Sequence, residues 1–204
     1  MSMNGKLNNS GWGWHASKLP TLIADRVAVG PELPYTFLRH FAVDAVIDLR
    51  ETFPIVDPQE LGAIKLFRAP IDDGVSPDIE TLATICRTID IYGSSFFYIH
   101  CFEGVGRAVT VGTAYLMWRE GWDADTALQR MVTLRPAANP TKAQIEALHA
   151  FEDRVIVDPQ GKELLRVRPL APLRPDALIQ RLRPVEATRP TDNGQHTERD
   201  EAAV

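Results

Sequence analysis

The stretch from Ser95 to Trp118 limits what this chain can become more than any other. Ser95-Phe96-Phe97-Tyr98-Ile99 is a short apolar, aromatic run of the buried-strand type. Arg107 to Trp118 has helical spacing, with Val111, Ala114, Tyr115 and Trp118 on one side. Between them lies His100-Cys101-Phe102-Glu103-Gly104-Val105-Gly106-Arg107, which sets one cysteine and one arginine six positions apart around two glycines. A loop joining a strand end to a helix start gathers unpaired backbone N–H groups at the positive end of a helix dipole, so it holds an anion without a charged side chain. Gly104 and Gly106 permit turns that a Cβ would penalise and keep several N–H groups pointing inward. Phe102, Glu103 and Val105 bring no lysine, so the backbone from Phe102 to Gly106 is expected to hold a phosphate.

A thiol that ionises near about pH 8.5 in water does so at roughly 3.5–7.5 when it sits at a helix N-terminus beside a cation, and the thiolate is the nucleophile. Arg107 adds a planar fork that grips two phosphate oxygens, a geometry lysine does not reproduce. Cys101 is therefore the candidate nucleophile and Arg107 the candidate phosphate clamp. The competing reading is a structural cysteine beside an arginine that caps something else.

With these residues in place the chain resembles the cysteine-dependent protein tyrosine and dual-specificity phosphatases, whose signature of His-Cys, five residues and Arg is filled by His100, Cys101 and Arg107. The resemblance implies removal of phosphate from phosphotyrosine, and from phosphoserine or phosphothreonine, through a phosphocysteine intermediate, with no cofactor and no metal. It implies a phosphorylated protein as partner, and a supporting role for His100 beneath the cysteine loop. The family also uses an aspartic acid on an upstream loop to protonate the leaving oxygen. Pro70-Ile71-Asp72-Asp73-Gly74-Val75-Ser76-Pro77 resembles that loop, and register against the motif favours Asp73 over Asp72. Alone, Asp-Asp-Gly reads as a turn.

One position departs from the pattern. The family usually places Ser or Thr after the arginine, where its hydroxyl bonds the cysteine sulfur and eases its departure; here the residue is Ala108. The Arg-Ala pair together with Asp-Asp-Gly is similar to the phosphatases of regenerating liver, a slow branch of the family. A phosphate-binding pseudoenzyme that holds a phosphoprotein is the rival function, and sulfur transfer or arsenate reduction on a similar loop is a third. Glu103 opposes a polyphosphorylated lipid headgroup by like-charge repulsion unless it points to solvent. The short core, without the long insertions of tyrosine-only relatives, favours the dual-specificity type.

Around this centre the pattern alternates strands and helices, which predicts an α/β fold with helices on a central, mainly parallel sheet. Residues 25–30, 33–40 and 43–51 resemble the family's opening of strand, short helix and strand. A helix from Pro77 to Tyr92 carries Ile79, Leu82, Ile85 and Ile89 at helical spacing, which makes Cys86 a small core residue; the resemblance offers redox protection of Cys101 as a second reading. Asp123 to Leu134 predicts a helix with Ala127, Leu128, Met131 and Val132 facing inward, stopped by Arg135-Pro136. Thr141 opens a last helix with Gln144 completing a capping box, and Ile145, Leu148 and Phe151 form its apolar side. The resemblance places Asn139, Thr141 and Gln144 at the pocket rim, although capping alone accounts for the last two.

The chain divides into an N-terminal segment, 1–20, a domain, 21–156, and a Pro- and Arg-rich tail, 157–204, expected to be loosely attached. The tail's Arg166, Arg168, Arg174, Arg181 and Arg183 read as a solvated linker rather than a docking site. Trp12 and Trp14 are expected to pack on the domain. A net charge of −5 opposes a nucleic-acid partner, and no apolar run is long enough to enter a membrane as a span. Met1 to Pro20 lacks the apolar core of a signal peptide, so the expected location is the cytoplasm. The two cysteines give no disulfide framework, and the histidines show no metal-ligand spacing.

Overall fold

The computed structural model describes residues 18–52, 56–156 and 168–173. Trp12, Trp14, Arg166, Arg174, Arg181 and Arg183 lie outside them. Five strands form one sheet: β1 (Thr21–Ala24), β2 (Val27–Gly30), β3 (Ala45–Asp48), β4 (Lys65–Arg68) and β5 (Phe97–His100). Their order is β1-β2-β5-β3-β4, parallel except for the antiparallel β1–β2 hairpin. The mainly parallel sheet is the expected one; β1 and β4 are additions to it.

Alternation along the strands sends side chains to two separate cores. Val27, Val29, Ala45, Ile47, Phe67, Phe97 and Ile99 join the larger one, which is covered by α3 (Ile79–Ile91), α4 (Arg107–Glu120), α5 (Ala124–Leu134) and α6 (Lys142–Phe151). Ala28, Val46, Leu66 and Tyr98 face the opposite side, where Leu38 of α1 (Tyr35–His40) and Leu61 of α2 (Pro58–Leu61) close a smaller core. A π-helical turn, Glu152–Ile156, follows α6.

Helix α4 differs from its expected one-sided form. Every residue from Arg107 to Met117 is buried, because the helix lies between the sheet and the other helices of that layer, so it has no solvent face to carry a stripe. Helix α5 buries Ala124, Ala127 and Met131, and Leu128 is half-buried. Val132, expected inside, is 44% exposed, since the residue after Met131 is turned about 100° away from the core. Cys86 is fully buried in the larger core as a free thiol. Helix α3 begins two residues later than Pro77, where the Asp78 carboxylate accepts from the Thr81 N–H at 2.6 Å.

The part of the tail that is described lies against the domain. The Leu170 N–H donates to Thr88 Oγ1 at 2.9 Å and the Leu173 N–H to the Leu66 carbonyl at 2.7 Å, while the two leucines pack on the larger and smaller core respectively. Leu66 belongs to β4, an edge strand, so this contact covers part of an otherwise open ladder.

Register fixes the location of the site. Gly30, His100 and Asp48 stand side by side at the carboxyl ends of β2, β5 and β3, and Arg68 pairs with Asp48 at the end of β4. In an open α/β sheet the loops leaving these ends form the natural crevice.

Candidate active site

The loop from Cys101 to Arg107 leaves the central strand β5 and enters α4. Its carbonyls are tied away from its centre one after another. His100 Nδ1 contacts the Cys101 carbonyl at 3.1 Å, and the Glu32 N–H donates to the Phe102 carbonyl at 3.0 Å. Arg135 Nε donates to the Gly104 carbonyl at 2.7 Å and the Asn139 N–H to the Val105 carbonyl at 2.8 Å. The Gly106 carbonyl takes the first bond of α4, from the Thr110 N–H at 2.9 Å. In a planar trans peptide the N–H opposes the C=O, so anchoring these oxygens outward turns the N–H groups of Phe102, Glu103, Val105, Gly106 and Arg107 toward a common centre.

Gly104 has a different task. Its N–H donates to Cys101 Sγ at 3.3 Å, and it does not line the cavity that the other loop residues enclose. Its amide is directed at the sulfur. Its φ of +71° is a left-handed conformation, and a Cβ there would overlap the Gly30 carbonyl. Cys101 is buried at the cavity floor, and Ala108, also buried, offers its sulfur no hydroxyl.

Arg107 is buried, with its guanidinium divided among three partners. Nη1 donates to Glu51 Oε2 at 2.5 Å and to the Ile71 carbonyl at 2.8 Å, and Nη2 is 2.8 Å from Asp73 Oδ1. Its Nε is a buried donor with no partner among the described residues. Glu51's own backbone N–H, and then Arg107, hold the Glu51 carboxyl below the usual carboxylate range. The Phe102 ring is flanked by the Arg107 and Arg50 guanidiniums, 5.7 and 5.5 Å from its centroid.

Beneath the loop lies a charged cluster. Asp48, fully buried, accepts from the Arg50 N–H at 2.9 Å, from Arg50 Nε and Nη2 at 3.0 and 2.9 Å, and from Arg68 Nη1 at 3.2 Å. Burial pushes the Asp48 carboxyl up, but the Arg50 bonds and nearby charges outweigh it and leave the group below its ordinary range. Arg50 also pairs with Glu32. Burial drives the His100 imidazole below its ordinary value despite Asp48, so it is neutral; since the Cys101 carbonyl only accepts, the proton sits on Nδ1. His100 stacks on Tyr98, whose hydroxyl donates to the Pro31 carbonyl at 2.6 Å, linking the support to the neighbouring strand end.

Asp48→Asn removes the counter-charge of buried arginines and is expected to cost about 3 kcal/mol at neutral pH. A carboxyl depressed in the folded state stabilises above its unfolded pKa and loses that contribution as pH falls through its folded one. The gap between parent and variant should therefore narrow below about pH 4, as followed by urea denaturation at several pH values. A gap independent of pH would count against an ionised Asp48.

A cavity of about 430 Å³ opens above Cys101 and is lined by the loop together with Asp73, Gly74, Asn139, Thr141 and Gln144. Asp73 and not Asp72 faces it; the Asp72 carbonyl instead closes a turn by accepting from the Val75 N–H at 3.1 Å. The capping box of α6 is present as expected, with the Gln144 N–H donating to Thr141 Oγ1 at 3.3 Å and the Thr141 N–H to Gln144 Oε1 at 3.0 Å. Among the described residues no group of three or more His, Cys, Asp or Glu could hold a metal, and no helix is long and apolar enough to cross a membrane.

The residues missed in the sequence are those supporting the loop from a distance. Arg135, read as part of a helix stop, is the largest fully buried side chain among the described residues and ties Gly104 to the Leu19 carbonyl and Thr21 Oγ1, at 2.9 and 3.0 Å. Asp48, Arg50 and Arg68, charges at the ends of apolar strands, were the available signal for the cluster below.

Sheet, loop and acid define the class, and the comparisons agree. Residues 29–154, more than half of the chain, match the model of the dual specificity phosphatase catalytic domain, and the chain belongs to that family. It is 35% identical over 83 residues to a protein-tyrosine-phosphatase MKP1 of Arabidopsis thaliana, covering 40% of this chain and 11% of that protein. A dual specificity protein phosphatase 1 of the same plant is 39% identical over 62 residues, 30% of this chain and 31% of that protein. The chain thus spans under a third of either relative. The crystal structure of Tk-PTP in its active form superposes with a TM-score of 0.61 at 32% identity, covering 69% of this chain and 99% of that one.

Proposed function

We propose that this chain hydrolyses phosphate monoesters on proteins, with Cys101 as nucleophile, Arg107 as phosphate clamp and Asp73 as proton donor. The observation carrying the proposal is the convergence of Cys101 Sγ, inward-turned amides, a buried guanidinium with a free Nε, and a carboxylate 2.8 Å from that guanidinium, all on one cavity. The Cys101 thiolate attacks phosphorus, and the ester P–O bond breaks as its oxygen takes the Asp73 proton. The Asp73 carboxylate then accepts a proton from a water that attacks phosphorus, and the P–S bond breaks to restore the thiolate. Arg107 and the amides stabilise the charge on the transferring group in both steps, while the neutral His100 acts only by holding the Cys101 carbonyl.

An adjoining cavity of about 500 Å³ shares the Phe102, Glu103 and Val105 wall and gives room for residues flanking the phosphorylated one, which supports a protein substrate. A protein that only held phosphate would need the cup and Arg107 but not Asp73 above them, so turnover is the favoured reading. Repeated release of phosphate from an aryl phosphate tests it; at most one equivalent per chain would leave a binder.

Ala108→Ser is expected to raise steady-state turnover by about ten- to a hundredfold, because a hydroxyl donating to the leaving sulfur contributes about 1.5–3 kcal/mol. An initial burst that shrinks in the variant would place the gain in phosphoenzyme hydrolysis. Unchanged or lower turnover would sink the idea.

A further inference from the structure

Gln144 is buried at the start of α6, yet its amide meets two loops of the site. The assignment of its two ends is unambiguous, because one faces a backbone N–H and the other a backbone carbonyl. Oε1 accepts from the Thr141 N–H at 3.0 Å, and Nε2 donates to the Val75 carbonyl at 3.2 Å. Gly106 packs so closely against it that a Cβ there would lie 3.2 Å from Oε1. Both polar ends are thus engaged by the main chain.

The segment from Asp72 to Pro77 has few other anchors. Among the described residues its hydrogen-bonded ties to the rest of the domain are two: Asp73 to Arg107, and Val75 to Gln144. The first cannot persist through the reaction. A phosphate in the cup competes for the Arg107 Nε and Nη2 edge, and an Asp73 that carries the proton to be donated no longer brings a charge to that pair. When the acid is needed, the remaining tie is the Gln144 bond.

We propose that Gln144 is a positioning residue that holds the Asp73 loop over the phosphate cup by donating to the Val75 carbonyl. The inference rests on the hydrolase reading above and deepens it. It separates two tasks of one side chain: Oε1 caps α6, and Nε2 clasps the acid loop.

Gln144→Glu separates them experimentally. One carboxylate oxygen still accepts from the Thr141 N–H, while the other faces the Val75 carbonyl with no proton to give, so the cap is kept and the clasp is broken. Phenyl phosphate needs its leaving oxygen protonated, whereas 2,4-dinitrophenyl phosphate departs without help. The variant is expected to lose about tenfold or more in kcat/KM on the first and less than about threefold on the second. Its inhibition constant for inorganic phosphate should rise no further than the loss on the second substrate, because Gln144 lines the cavity and the new carboxylate repels every phosphate dianion alike, and that small common change shows a folded cup. Gln144→Ala, which adds no charge, should show the same selective loss if the glutamate variant folds poorly. Adding Gln144→Glu to Asp73→Asn should change phenyl phosphate hydrolysis no further, because the clasp acts through the acid. Equal loss on both substrates, or a further loss beyond Asp73→Asn, overturns the proposal and leaves the hydrolase reading standing. A parent chain that turns over neither substrate overturns both.

Discussion

Cys101→Ser is expected to abolish phosphate release from an aryl phosphate while leaving the fold intact. Loss of a covalent nucleophile removes the first bond-forming step, and the expected fall is about four orders of magnitude or more, since the hydroxyl has no adjacent base to take its proton. The His100 imidazole spends its Nδ1 proton on the Cys101 carbonyl and does not line the cavity. Stability should barely change, because Sγ is one acceptor for the Gly104 N–H and a serine oxygen keeps that role. The variant should still bind inorganic phosphate, since the inward amides and Arg107 are untouched. Thermal unfolding with and without phosphate, beside an activity assay, separates these outcomes; residual turnover near that of the parent would refute the assignment of the nucleophile.

Gly104→Ala should be the most damaging change in the loop. Part of the cost is conformational, about 1–2 kcal/mol for placing a Cβ at a left-handed φ. The rest is steric. The new methyl would overlap the Gly30 carbonyl, which is backbone at the end of β2, so either the strand or the loop must move. A total above about 4 kcal/mol is expected. Any relief by the loop would withdraw the Gly104 N–H from Sγ, so activity should fall with stability. Gly121→Ala provides the comparison: φ is +69°, but a Cβ would have nothing within 4 Å, and it ends α4 far along the chain from the loop. That variant should lose only the conformational part and keep its activity. Similar losses in the two variants would show that the contact with Gly30 contributes little.

The centre of the site was legible because its residues are contiguous. A strand, a glycine-bearing turn and a helix within Ser95–Trp118 dictate a local geometry that needs no knowledge of the rest. The capping box of Thr141 and Gln144 was readable for the same reason, and so was the turn at Asp72-Asp73-Gly74, although choosing between the two carboxyls required the family's register. Strands β1 and β4 escaped because they are the edge strands and only partly buried, whereas β2, β3 and β5 are buried along their whole length and read as continuous apolar runs. Val132 was misplaced because an isolated apolar residue next to Met131 fits the period only loosely. Arg135 was invisible as a support because its partners, Leu19, Thr21 and Gly104, are brought together only by the closed fold. Gln144 was half seen: its local bond to Thr141 follows from spacing, whereas its bond to Val75 crosses 69 positions. Leu170 and Leu173 lie against the domain because leucines at that spacing reach both cores around the β4 edge of the sheet.

The outward-tied carbonyls have an evolutionary consequence. On the proposed reading the loop holds its anion through the main chain, so drift at Phe102, Glu103 and Val105 can retune which molecules are admitted without eroding the reaction itself. Arg135 and His100 enjoy no such freedom of role, as each fixes an oxygen with its side chain, whereas Asn139 fixes the Val105 carbonyl with a backbone N–H that any residue but proline supplies. Selectivity and reactivity thus evolve on separate sets of atoms within the same seven residues.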